Sequence, residues 1–467
     1  MNAPDTSPVA AADAADDNRH YLRALTDMAD RRNVVTQEAL YTERGMKLLD
    51  KGVRVDSRLY DRLVMHKLRG KIEEHLAMED MVSVQSLVQV ASAQCESDTL
   101  AYLLVHTLEG MTADRLLAPL RSVLLPSAVA FKLTVMREQH PALFAHSVRM
   151  MLVAVYLATK SGWTERECVP LATAALLHDV GVMHMDPVWH DPANRVTGAG
   201  RKQLLVHPVM AMLITREQSI YPRSVEQAVL EHHECMDGSG YPRGLRGEEI
   251  SPMGQVLLLS EVVAAFFEKY AKEAAAQRLT LMLKLNHRKF PAELVAHILP
   301  VLQIRTLQSD VPVTQEDVER TVELLSSAFG DWERHCADLP PQALQHPSEQ
   351  ASALVAQRLA ALQKTLFEAG SHPLQLAEVL QHLQGDEEGM VEVALLGREA
   401  LWQLQSIVDF IHGRWPQLQD GTDAGDVAVA QWRDACAARL EAISSSCGHI
   451  VRSEEHTSEL QSHLKLV

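Results

Sequence analysis

Apolar positions along this chain fall at helical spacing almost throughout, and alternating runs that would mark strands are scarce. The pattern predicts an all-α protein. From Arg19 to about Ala130 it predicts mainly helices, with one exception. In Gly45-Met-Lys-Leu-Leu-Asp-Lys-Gly52-Val-Arg-Val55 two short apolar pieces flank Asp50-Lys51-Gly52, which predicts a small β-hairpin near residues 45–55. Asp56 or Ser57 is then placed to cap a helix carrying Leu59, Leu63, Leu68, Ile72 and Leu76 on one face. Phe144–Thr159 is nearly continuously apolar, as a buried helix is. Val169–Leu177 is a second such run, closing at His178-Asp179, and Ser224–Glu234 is a third, closing through His232-His233. Ser251-Pro252 supplies a capping side chain and then a first-turn proline for a helix carrying Val256–Phe267. Past about Asp331, Pro340-Pro341 and His346-Pro347 mark a linker. Ala/Leu/Gln-rich helices follow over 349–369, 373–383, 390–411 and 427–445, with Trp402, Trp415 and Trp432 as packing anchors in a bundle without chemistry.

These patterns divide the chain into a disordered leader (1–18), a helical N-terminal region (19–130), a histidine-bearing middle (131–330) and a helical C-terminal region (331–451). The N-terminal region shows no chemical motif, so a sensory, docking or homodimerising role is expected of it. The last sixteen residues are set apart. Arg452–Ser462 resembles the in-frame translation of a common sequencing adapter, so 452–467 is expected to be a non-native tail.

Charge narrows the function. With 61 acidic and 44 basic side chains the net charge is −17, which excludes a general duplex nucleic-acid binder. An anionic substrate would need a local positive site such as a bound metal. No uninterrupted apolar run reaches the ~18 residues of a spanning helix. No Lys or Arg precedes Arg19, so a secretory signal is not expected, and the six scattered cysteines form no Cys-x-x-Cys pair. Both point to a cytoplasmic protein with reduced thiols, and against a thiolate zinc site.

Histidine is the anomaly: the chain has 22, eight of them between His140 and His233. His146 lies inside the first apolar helix, His178-Asp179 closes the second, His207-Pro208 opens another, and His232-His233 closes the next. Taken singly, each is ordinary. Together they meet one physical requirement, because imidazole and carboxylate suit iron, manganese, nickel or zinc, and a shared carboxylate can bridge two ions. Two metals ~3.5–4 Å apart can serve an in-line displacement at phosphorus. The loop that follows reads His232-His233-Glu234-Cys235-Met236-Asp237-Gly238-Ser239-Gly240-Tyr241-Pro242-Arg243-Gly244-Leu245-Arg246-Gly247-Glu248-Glu249-Ile250. Its glycines permit turns closed to other residues, and Pro242 stiffens it.

This stretch resembles the HD-GYP family of bacterial metal-dependent phosphohydrolases, a branch of the HD superfamily, over about residues 131–330. The Gly45–Val55 unit also resembles a segment that often precedes such domains. The resemblance implies an HD-superfamily helical fold. It implies metal ligands at His146, His178, Asp179, His207, His232, His233 and Glu261, with Asp179 bridging. Glu261 stands where the family has Asp. It implies a catalytic role for His178 and Asp179, and a loop of Asp237, Gly238, Gly240, Tyr241, Pro242, Arg243 and Arg246 that meets substrate or a signalling partner. The implied cofactors are two divalent ions, iron or manganese. The implied substrate is cyclic di-GMP or a related cyclic dinucleotide.

Several positions depart from the family pattern. The usual Lys after His-Asp is Val182, a contact whose loss is commonly worth ~10²–10³ in rate. Ala142 replaces a Glu used for a third metal, which points to two ions. Gln255 replaces an Arg, Ala264 replaces an Asp, and no basic Arg-Pro-Tyr segment follows. His184, Asp186, Arg243 and Arg246 are the residues available to compensate. Two functions therefore stand side by side: a divergent phosphodiesterase, or a catalytically weak adaptor that binds nucleotide or protein.

Overall fold

In a computed structural model of the 467-residue chain, the described residues are 8–106, 110–187, 205–270, 275–303, 315–337, 339–345, 350–368, 372–376, 387–415, 417–418 and 423–446. The chain divides into two compact units: Met1–Ala271 with Arg288–Val301, and Lys272–His287 with Leu302–His456. By contacts the chain divides at 271, 287 and 301, whereas sequence character divides it at 130 and 330.

The first unit is helical, as its periodicity predicts. It opens with α1 (Pro8–Arg31), so the expected leader does not extend to residue 18. The reason is local: an Ala-rich stretch is a strong helix former, and Tyr21, Leu22, Leu25 and Met28 bury its continuation. The expected 452–467 tail lies outside the described residues.

Two short antiparallel ladders follow. β1 (Val34–Thr36) pairs with β4 (Leu76–Met78), and β2 (Leu40–Tyr41) pairs with β3 (Lys47–Leu49). The expected hairpin is therefore re-partnered. Lys47–Leu49 turns back onto Leu40–Tyr41, while Arg54 bridges Val35 and the Val53 carbonyl accepts from Thr36. Strands of two and three residues carry too little alternation to read beforehand. Asp56 does cap, at 3.1 Å from the Arg58 amide, but the helix it starts soon ends. Only α2 (Tyr60–Val64) forms; Ile72 lies in a separate 3-10 turn and Leu76 in β4, where pairing with Thr36 overrides helical spacing.

Helices α3 (Val84–Ser97), α4 (Thr99–His106), α5 (Ala113–Arg121) and α6 (Ser127–Gln139) lead to the central layer. That layer is α7 (Pro141–Lys160), α8 (Glu165–Leu177), α9 (His207–Glu217), α10 (Arg223–Glu231) and α11 (Pro252–Lys269). Helix α7 packs on α8 and α11, and α10 on α8, α9 and α11. Two of these starts have a side-chain cap. Thr164 and Glu167 form a capping box for α8, and the Ser251 hydroxyl accepts from the Gly254 amide at 3.1 Å to begin α11. Helix α7 is long and apolar enough to cross a membrane by length and composition, but 72% of that stretch is buried inside the unit.

A buried ion pair joins the N-terminal elements to α6. Lys132 of α6 lies 2.5 Å from Glu73, both about 95% buried, and its ammonium stands 3.9 Å from the Tyr21 ring centroid. Tyr21 in turn stacks on His184 at 4.8 Å.

The second unit contains α12 (Ala275–Leu285), α14 (Gln315–Ala337), α15 (Ala351–Glu368), α16 (Glu387–Arg414) and α17 (Ala424–Ser446); α13 (Ala292–Gln303) belongs mostly to the first. Leu325, Val355, Leu404, Ile411, Val429 and Trp432 form its core. Trp432 is fully buried and donates to the Ala328 carbonyl at 2.9 Å. Trp332, an anchor its sequence context does not single out, packs edge-on against it at 5.8 Å. The helices expected at 349–369, 390–411 and 427–445 are present; most of the one expected at 373–383 lies outside the described residues.

Candidate metal centre

Five helix ends or faces deliver the ligand candidates to one buried point. His146 projects from within α7 and Glu261 from within α11; His178 and Asp179 follow α8; His207 begins α9; His232 and His233 follow α10. All seven residues are at least 94% buried. Helix ends place such groups on rigid supports, where a loop would leave them mobile.

The groups form a trio and a quartet that share Asp179. On one side are His146, His178 and Asp179; on the other Asp179 joins His207, His232 and His233. Within each set the nearest donor atoms lie within 4.8 Å of one another. The two Asp179 oxygens are divided between the sides: Oδ2 stands 3.3 Å from His178 Nε2, whereas Oδ1 stands 3.2 Å from His207 Nε2 and 3.6 Å from His232 Nε2. Glu261 extends the trio, with Oε2 at 2.9 Å from His146 Nε2 and 3.4 Å from His178 Nε2.

The donor set fits divalent metal ions. His178 Nε2 and both Asp179 oxygens are buried yet make no hydrogen bond, despite standing this close to one another and to other imidazoles. Buried charged atoms left without hydrogen bonds are costly, and lone pairs converging on one point are what a cation satisfies. The outward nitrogens are already used: His178 Nδ1 meets the Ala175 carbonyl at 2.8 Å and His232 Nδ1 the Val229 carbonyl at 2.6 Å. Both rings are therefore held with Nε2 toward the centre.

Electrostatics differ between the sides. Burial opposes charge on His178, but Asp179 and Glu261 prevail and raise it to about 9. His146 is raised likewise, its burial outweighed by Glu261 and Glu268. Burial takes His232 the other way, down to about 4, helped by the neighbouring His178 and His207. Burial opposes charge on Asp179 and Glu261 too, but the imidazoles beside them hold both well below the usual carboxylate range. Without metal, protons on the His146 side balance the carboxylates, while burial leaves His232 neutral.

The glycine-rich loop is built around this centre by two buried carboxylates that sequence reasoning passed over. Glu234 accepts from the amides of Arg243 and Leu245, each at 2.8 Å. Glu231 accepts from the Ser251 amide at 2.9 Å and pairs with the Arg243 guanidinium at 2.5 Å. The signal was there in the flanks of the histidine pair, Glu231-His-His-Glu234. Gly240 packs its backbone against Cys235 and Glu234, where a Cβ would come within 2.3 Å of the Cys235 amide nitrogen. Tyr241 turns inward: its ring stacks on His233 at 4.7 Å and is buried with Met185 and Leu205. Asp237 bridges Arg246 across the loop and accepts from the Ser239 amide at 2.9 Å. Arg246 lies over Gly238.

The departures from the expected basic residues are filled structurally. Val182 is buried, and Gln255 donates to the Ile250 carbonyl at 3.1 Å, bracing the loop. Of the residues available to compensate, His184 is engaged by Tyr21 and Arg243 by Glu231. Glu268 and Arg149, not anticipated, stand behind His146. The five described cysteines are all unbridged and away from the ligand sets.

Residues 134–292 match the HD domain family model. The chain is 25% identical over 167 residues to the 3'3'-cGAMP-specific phosphodiesterase 3 of Vibrio cholerae, covering 35% of this chain and 36% of that protein. It is 23% identical to the cyclic di-GMP phosphodiesterase PdeB of Borreliella burgdorferi, covering 38% of this chain and 48% of the other. It is 33% identical to the cyclic di-GMP phosphodiesterase response regulator RpfG of Xanthomonas campestris pv. campestris, covering 25% and 31%. The chain thus spans less than half the length of each of these relatives.

Proposed function

We propose that this chain, a member of the HD-GYP branch of the HD domain family across residues 134–292, is a dinuclear metal phosphodiesterase acting on a cyclic dinucleotide in bacterial signalling, within the cytoplasm. The observation that carries the proposal is the pair of buried ligand sets sharing Asp179. His146, His178, Glu261 and one oxygen of Asp179 would hold one ion; His207, His232, His233 and the other oxygen would hold the second. Iron and manganese suit this mixture of imidazole and carboxylate. When bound, such ions supply an activated water and neutralise charge developing at the phosphate. The protein's own work is to orient: backbone carbonyls of Ala175 and Val229 hold two rings, Tyr241 holds His233, and Glu231 and Glu234 hold the loop beside them. With Val182 and Gln255 in place of cationic side chains, attraction for the phosphodiester falls chiefly to the metals. Cyclic di-GMP and 3'3'-cGAMP are the substrates named for the relatives.

A second reading, an adaptor that binds metal and nucleotide with little turnover, is favoured by those same two positions. One experiment separates them. The chain is purified anaerobically, its metal is quantified, and it is incubated with cyclic di-GMP or 3'3'-cGAMP under iron or manganese. Linear dinucleotide or mononucleotide, abolished in His178→Ala together with metal, supports the enzyme. Two bound metals without product from either nucleotide leaves the adaptor.

A further inference from the structure

Behind His146, on the side away from the other ligands, a chain of charged groups runs to the N-terminal helices. His146 Nδ1 stands 3.1 Å from Glu268 Oε1, while its Nε2 faces Glu261 and the cluster. The Glu268 carboxylate is gripped by the Arg149 guanidinium. Arg149 also pairs with Asp98, Nε to Oδ2 at 3.0 Å and Nη2 at 2.9 Å. Asp98 is fixed in turn at the junction of α3 and α4, where its Oδ1 accepts from the Ala101 amide at 3.0 Å and its own amide donates to the Gln94 carbonyl at 2.8 Å. Helical spacing explains the alignment. Arg149 is one turn from His146 on α7, and Glu268 two turns from Glu261 on α11, so ligand and support share a face on each helix.

We infer that Glu268 is a positioning residue for the metal centre, holding His146 in the tautomer that carries its proton on Nδ1 and leaves the Nε2 lone pair to a metal, with Arg149 and Asp98 holding Glu268 in turn. The inference rests on the metal-centre reading and adds to it. A neutral imidazole has one N–H: with Nε2 and Glu261 both given to a metal, Glu268 is the carboxylate left to accept it, at Nδ1. Of the described ligand rings, His178 and His232 are oriented by backbone carbonyls, but His146 is oriented by a carboxylate. Such partners of ligating histidines commonly contribute 10–100-fold to metal affinity. Asp98 lies outside residues 134–292, so a helix junction beyond the family match helps set the geometry of one of the two sites.

The test is metal binding, independent of any substrate. Full-length metal-free chain is titrated with manganese, and bound metal is counted after equilibrium dialysis for wild type, Glu268→Ala, Glu268→Gln and Asp98→Ala. Wild type is expected to bind two ions. Glu268→Ala should keep one at wild-type affinity and bind the other 10–100-fold more weakly. Glu268→Gln, whose amide oxygen still accepts from Nδ1–H, should recover most of that loss, and Asp98→Ala should weaken the same ion a few-fold. A merely structural role would lower thermal stability and weaken both ions alike. Two ions bound by Glu268→Ala as by wild type, or both weakened equally, overturns the inference alone. A wild-type chain that binds no metal overturns the metal centre and the inference with it.

Discussion

Asp179→Asn is the sharpest perturbation of the centre, because one oxygen of Asp179 faces each ligand set. The substitution keeps size and shape but removes the negative charge and replaces one oxygen by an amide nitrogen, which cannot ligate. Whichever way the amide settles, one side loses an oxygen ligand and the other keeps only a neutral one. On the scale of structural four-ligand zinc sites, which bind with about 10–16 kcal/mol, one ligand is worth ~3 kcal/mol, roughly 10²-fold in Kd. Asp179→Asn should therefore weaken both ions, the amide-facing one by about 10²-fold or more. His207→Ala is the contrast: His207 belongs to one set, so a single ion should weaken while the other is retained. Equilibrium dialysis with elemental analysis reads both outcomes. Melting temperature does not serve here, since Asp179 also balances His178 in the metal-free fold. If Asp179→Asn weakened one ion only, or His207→Ala weakened both, the shared-carboxylate arrangement would be refuted.

Other outcomes follow from the same structure. Metal-free protein should lose stability as pH rises toward and through about 9: His178 is held above its ordinary 6.5, so its contribution is full below 6.5 and fades as the proton leaves. Urea unfolding from pH 6 to 9.5 in chelator shows it, and a flat profile would count against the ion-pair balance. By the same linkage, metal loading near pH 7 should release protons and tighten as pH is raised toward 9, a trend that titration calorimetry in buffers of different ionisation enthalpy measures. Glu73→Ala should cost about 3–5 kcal/mol by stranding the buried Lys132, whereas Glu73→Leu combined with Lys132→Met should restore most of it; equal urea midpoints for wild type and the single variant would contradict this. Gly240→Ala forces a Cβ into the backbone of Glu234 and Cys235, so about 1–3 kcal/mol of stability should go, with weaker metal binding as Tyr241 shifts from His233. Unchanged melting and metal affinity would show the loop tolerates the methyl group.

The all-α class, the long helices and every histidine of the centre are legible in the chain, because helical spacing, Ser-Pro and His-Pro starts and the His-His-Glu loop are local signals. What escaped is short or distant. Strands of two and three residues have no period to detect, and β3 pairs backward because its partner lies upstream. The helix expected to run from Leu59 to Leu76 broke because strand pairing at Leu76 outweighed spacing. The inward turn of Tyr241 and the duties of Glu231, Glu234, Glu268 and Arg149 depend on neighbours up to about 120 residues away. The sequence by itself determined which side chains were available for metal chemistry and on which helices they rode. Tertiary structure alone decided that they divide into two sets across one carboxylate, and which buried acids orient them. Ligand type is written residue by residue, but a coordination geometry exists only once helices far apart in the chain have packed.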